Sequence, residues 1–134
     1  MAYSWDKSWE IGIADIDRQH EQLLDIINKL GDAMKARKTS DVLLGVLNEL
    51  DDYTRKHFAF EEALMKRYNY DGFDVHKPLH TKFIAQVKDF KTQVVEGNIS
   101  VGVKMYNFLG DWWQGHIRGT DIKYAEVIKE KGAR

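Results

Sequence analysis

The sequence predicts an all-α fold, an antiparallel up-down-up-down four-helix bundle with an N-terminal extended arm and a short C-terminal helix. Three observations lead there. Apolar residues recur at alternating spacings of three and four in four successive segments, the period of one buried helix stripe. Short stretches containing Gly, Asn and Asp join some of these segments, and short connections make neighbouring helices antiparallel. The 134 residues, 43% of them apolar, are enough for one hydrophobic core, so a single domain over 1–134 is expected.

The elements follow in order. Residues 1 to about 14, with Trp5, Trp9, Ile11 and Ile13, read as an extended arm packed on the bundle. The first helix carries Ile16, Leu23, Ile27, Leu30 and Met34 on one seam, with a gap at position 20 and Gly31 inside it. Lys35, Arg37 and Lys38 close it, where cations suit the negative end of the helix dipole. The second helix begins near Ser40 or Asp41, both good N-caps. Its seam is Leu43, Val46, Leu50, Tyr53 and Leu64, with gaps at 57 and 61. Asn69-Tyr-Asp-Gly-Phe73 reads as a loop.

A third helix starts near Asp74, which puts Pro78 in its first turn, where a missing N–H is tolerated. Its seam is Phe83, Val87, Phe90 and Val94, extends back through 80 and 76, and ends at Glu96-Gly-Asn98. The fourth helix runs from about Ser100, with Met105, Leu109, Trp112 and then position 116 inward, until Gly119 interrupts it. An amphipathic tail follows, with Ile122, Tyr124 and Val127. The sustained three–four spacing implies crossing angles near about 20°.

Composition excludes several chemistries. Cysteine is absent, which removes disulfides, thiolate zinc sites, iron–sulfur clusters and Cys nucleophiles. Any metal must then be held by imidazole and carboxylate. The formal net charge of −1 offers no broad basic field for nucleic acid or an anionic membrane. Met1 to Asp6 lacks a basic run followed by an apolar one, and no stretch approaches membrane-spanning length, so a cytoplasmic protein is expected.

The gaps in the apolar seams are His20, His57, Glu61, His76, His80 and His116. About two helix positions in seven lie on a seam. All five histidines of the chain fall there. A lone seam histidine is most often a hydrogen-bonded core residue. Five on four helices, with a glutamate, would leave too many buried polar groups unpaired unless a metal satisfied them together. His57 and Glu61 are four apart and share a helix face, as do His76 and His80. His116 and Asp121 are five apart, and five steps of an α-helix miss the same face by roughly 140°. A break at Gly119-Thr120 is therefore expected to swing Asp121 under His116. Alone, Asp121 would read equally well as the N-cap of the tail helix.

In sequence order these residues resemble the haemerythrin family. The pattern stands as His20, His57-Phe-Ala-Phe-Glu61, His76-Lys-Pro-Leu-His80 and His116-Ile-Arg-Gly-Thr-Asp121, and the likeness covers nearly the whole chain. Trp9-Glu-Ile-Gly-Ile13 and Asp17-Arg-Gln-His20 also resemble the family, and the length between His80 and His116 is closer to its bacterial members. The resemblance implies a non-haem centre of two Fe ions, Fe2+ or Fe3+, with an oxo or hydroxo bridge. It implies that His76, His80 and His116 hold one iron, that His20 and His57 hold the other, and that Glu61 and Asp121 bridge them. The second iron then has an open position for O2. Leu23, Phe58, Trp113 and Ile117 are the implied O2 pocket, an apolar wall against water and protons. Met65 reads as core filler.

The expected function is reversible O2 binding for carriage or storage, with no enzymatic turnover. O2 is the ligand, an O2-consuming protein its eventual recipient, and nucleic acid and membrane are not partners. Sensing of O2 or redox state through a partner is the alternative, although the chain shows no output domain. A ferritin-like di-iron oxidase or oxygenase would use two Glu-x-x-His motifs, and none occurs here; a slow oxidase or peroxidase activity of the di-iron centre stands as a further alternative. A zinc hydrolase motif starting at His20-Glu21 fails because position 24 is Leu. A haem bundle would leave the seven-residue pattern unexplained.

Overall fold

The computed structural model describes residues 5–36, 40–98 and 100–133. Within them the chain forms a 3-10 turn (Lys7–Trp9), α1 (Ala14–Lys35), α2 (Ser40–Arg67), α3 (Phe73–Val95), α4 (Val101–Trp112), a π-helical stretch (Trp113–Asp121) and α5 (Ile122–Glu130). Helix α1 packs on α2 and α4, α2 on α3, and α3 on α4, which closes the four into a bundle. Arg37, Lys38, the side chain of Ser40 and the first four residues of the arm lie outside the described residues.

One side chain ties the backbone of the arm to α1. The Asp17 carboxylate accepts the backbone N–H of Ile11 at 2.7 Å and of Gly12 at 3.2 Å. Gly12 has φ +89°, a left-handed conformation that glycine adopts without strain. Ile11 and Ile13 are thereby buried, and Trp5 and Trp9 lie half-buried against the core. Replacing Asp17 with Ala removes both acceptors, at a cost of about 1.5–3 kcal/mol. The midpoint of urea unfolding checks this, and an unchanged midpoint would mean that the tryptophans alone hold the arm.

Local sequence sets most boundaries. Asn69 takes φ 54°, a left-handed conformation that asparagine tolerates, in the turn between α2 and α3. Gly97, at φ +89°, ends α3. Helix α3 begins at Phe73, so Pro78 lies beyond the first turn rather than in it. It sits on the exposed face between His76 and His80, where solvent can serve the carbonyl its ring leaves without a donor.

The seams shift in three places. On α2, Leu47 and Met65 are fully buried while Val46 and Leu64 are only half-buried. On the fourth helix Trp113 is fully buried and Trp112 half-buried, so the inward series is Met105, Leu109, Trp113 and Ile117. In α5, Tyr124, Ala125 and Ile128 face inward, while Val127 is exposed.

The core is divided in two. One cluster includes Leu23, Phe58, Phe83, Trp113 and Ile117. The other includes Ile11, Ile13, Ile16, Met65, Tyr124 and Ile128. Along every helix the switch from one cluster to the other falls at the histidines and carboxylates: His20 separates Ile16 from Leu23, and Glu61 separates Phe58 from Met65. A buried polar layer therefore crosses the bundle.

Candidate metal centre

Regular α-geometry brings in most of this layer. His20 projects from α1, His57 and Glu61 from one face of α2, and His76 and His80 from one face of α3, all buried. His116 and Asp121 arrive by a different route from the one expected. No break occurs at Gly119-Thr120. Residues Trp113–Asp121 form a π-helix that continues α4 into α5. Its i→i+5 hydrogen bonding places residue 121 over residue 116, so both face inward. Asp121 precedes α5 but makes no capping hydrogen bond to it.

The seven side chains gather into two groups. His76, His80, His116 and Asp121 form one and His20, His57 and Glu61 the other, each with its ligand-type atoms within 4.8 Å of one another. All five imidazoles turn Nε2 inward. For His57 and Glu61 the Nε2–Oε1 distance is 3.1 Å, and His80 Nε2 lies 3.5 Å from the same oxygen. Asp121 Oδ1 is 3.2 Å from His76 Nε2 and 3.1 Å from His116 Nε2, while Oδ2 is 3.3 Å from His20 Nε2. Each carboxylate thus touches both groups.

This layer fits metal ions better than it fits hydrogen bonds. The Nε2 atoms of His76 and His80 approach to 3.0 Å. His20 Nε2, His116 Nε2, Glu61 Oε1 and Asp121 Oδ1 are buried with no hydrogen-bond partner. Donor atoms bound at about 2.1 Å to one ion, at right angles, stand about 3 Å apart. Cations would also answer the local charge. Burial and the charge of Asp121 push Glu61 toward protonation, but the charge and polar contacts of His57, then His80, hold its carboxyl far below the usual range. Burial likewise opposes ionisation of Asp121, and contacts with His116, His20 and His76 hold it well down. Both carboxylates are therefore anionic at neutral pH.

Three residues support the layer: Gln19 and Glu62, which escape the apolar seams, and Tyr124 of the amphipathic tail. His57 Nδ1 donates to the Gln19 side-chain carbonyl at 2.5 Å, and His80 Nδ1 donates to Glu62 at 2.9 Å. Each bond fixes the tautomer that leaves Nε2 free as a ligand. The Tyr124 hydroxyl donates to Glu61 Oε2. Burial, then the charges of Glu61 and Asp121, raise its pKa well above normal, so it stays a donor. Gln19 precedes a seam histidine and Glu62 follows a seam glutamate, but their partners lie on other helices.

Leu23, Phe58, Trp113 and Ile117 are all buried in one cluster beside this layer. Phe58 stacks on His80 with ring centroids 3.8 Å apart, and Trp113 meets His20 edge-on at 6.2 Å. Trp112 stacks on His116 at 3.9 Å. Among the described residues, no helix is long and apolar enough to cross a membrane.

Known proteins resemble this chain in sequence and fold. The chain is 34% identical to Bacteriohemerythrin of Pseudomonas aeruginosa, covering 93% of this chain and 80% of that protein. It is 31% identical to Myohemerythrin of Theromyzon tessulatum, over 91% and 90%. It is 32% identical to the Hemerythrin-like protein of Naegleria gruberi, over 94% and 93%. A crystal structure of wild-type hemerythrin superposes with a TM-score of 0.86 at 27% identity, covering 96% of this chain and 98% of that one. The family model of the Hemerythrin HHE cation binding domain matches residues 11–128. The chain therefore belongs to the haemerythrin family, whose domain holds a non-haem di-iron centre and binds O2.

Proposed function

We propose that this chain binds O2 reversibly, for carriage or storage, and does not turn it over. His76, His80 and His116 would hold one iron and His20 and His57 the other, with Glu61 and Asp121 bridging. The observation that carries the reading is the unequal division of the buried ligand-type residues, four in one group and three in the other. With one histidine fewer, the His20 and His57 side would leave room for a small ligand on its metal. When bound, the iron pair supplies the two electrons that O2 needs to be held.

The protein's own residues control access and charge. Leu23, Phe58, Trp113 and Ile117 exclude water from the layer, because each is almost wholly buried. Gln19 and Glu62 hold His57 and His80 in the ligating tautomer. Five neutral imidazoles and only two anionic carboxylates make a donor set poor in negative charge, which suits binding better than high-valent iron chemistry.

The test is iron analysis with absorption spectra of aerobic and deoxygenated protein. Two irons per chain and a spectrum that reverses on deoxygenation are expected. Stoichiometric zinc, a single iron, or an irreversible change would overturn the reading.

A further inference from the structure

Trp113 is fully buried, yet its indole Nε1–H has no hydrogen-bond partner. A buried donor without an acceptor is destabilising, and such groups persist where a ligand or fixed water completes them. The convergent nitrogen and oxygen atoms of the polar layer are answered by metal. The indole N–H, a donor only, cannot be answered in that way.

Its position narrows what can accept from it. Trp113 packs edge-on against His20, a member of the smaller ligand group, with centroids 6.2 Å apart at 79°. Trp9 and Trp5 pack on the same indole at 5.1 Å and 5.9 Å and hold the ring in place. The indole that carries the orphaned donor therefore packs against the smaller ligand group, the side of the layer where the di-iron reading leaves a coordination position open. Aliphatic side chains such as Leu23 and Ile117 make the rest of the wall apolar and offer no competing acceptor.

We propose that Trp113 donates a hydrogen bond to the small molecule held at the open position. This rests on the di-iron reading above. The ligands it would favour are small anions and molecules that gain negative charge on binding, because a charge-assisted bond is the stronger kind. The indole would then be a binding and specificity residue as well as a wall.

The probe is azide, a small anion that binds ferric iron, added to the oxidised, iron-loaded protein. In wild-type protein with 15N-labelled indoles, one N–H resonance should shift on azide addition. The same resonance should be missing from Trp113→Phe, which identifies it. The azide dissociation constant of Trp113→Phe should rise at least about 10-fold, the worth of one hydrogen bond to a charged group, with two irons retained. An indole signal indifferent to azide means that the N–H serves a fixed water only, and overturns the proposal. Unchanged azide affinity in the variant does the same. If Trp113→Phe fails to hold iron, single substitutions of Trp5, Trp9 and Trp112 assign the Trp113 resonance by elimination, and its response to azide in wild-type protein decides. Wild-type protein without an iron pair would instead overturn the di-iron reading, and the proposal with it.

Discussion

Glu61→Ala is expected to reduce the iron content from two per chain to one or none. Glu61 is wholly buried, and its Oε1 lies within 3.5 Å of Nε2 atoms from both histidine groups. As the proposed bridge it would serve both metals, and its loss leaves their charge uncompensated in a dry setting. Removing an outer partner such as Glu62 costs about 10–100-fold in metal affinity, and removing a ligand should cost more than the upper figure. Asp121→Ala should be as severe. Its two oxygens face His76 and His116 on one side and His20 on the other, from a continuous helix rather than a flexible approach. Metal analysis of the purified variants checks this. Two irons retained in Glu61→Ala would refute the ligand assignment.

Removal of metal should markedly destabilise the fold. Four convergent ligand-type atoms, His20 Nε2, His116 Nε2, Glu61 Oε1 and Asp121 Oδ1, lose their partner. At about 1–3 kcal/mol for each unsatisfied buried group, the loss is roughly 4 kcal/mol or more. That is a fall in Tm of more than about 10 °C for a chain of this size. The pH dependence should also reverse. Burial lowers the pKa of His20, but its contact with Asp121 outweighs that and raises it; for His80, Glu61 plays the same part. Raised histidines in the apo fold contribute stability that is full below the ordinary histidine value of 6.5 and is lost as pH rises through the folded pKa values. Apo-protein should therefore weaken above neutral pH. The loaded protein, whose ligands must be deprotonated, should weaken in acid. Thermal melts with and without iron, across pH, test both claims, and coincident melts would contradict them.

The four helices and six of the seven inward polar residues were legible because α-helical periodicity converts spacing directly into facing. His57 with Glu61 and His76 with His80 need only the four-residue repeat. The seam errors at Val46, Trp112 and Val127 have a common origin. Adjacent helix positions differ by about 100°, and which of two apolar neighbours is buried depends on the partner helix. Tertiary packing chose Leu47, Trp113 and Ile128. The route to Asp121 was misjudged because ideal α-geometry was assumed. A π-helical stretch shifts facing without breaking the helix, and no local residue preference announces it.

The sequence by itself determined the helical bundle, the absence of thiolate chemistry and the choice of imidazole and carboxylate as the buried donors. Those follow from residue type and from a period that is local to each helix. The division of the seven residues into groups of four and three, the pairing of Gln19 with His57 and of Glu62 with His80, and the orphaned indole of Trp113 were decided only by the tertiary structure. Each of these depends on which atoms of different helices come within about 3 Å, the range in which a hydrogen bond or a shared metal operates, and no spacing along one helix encodes that distance.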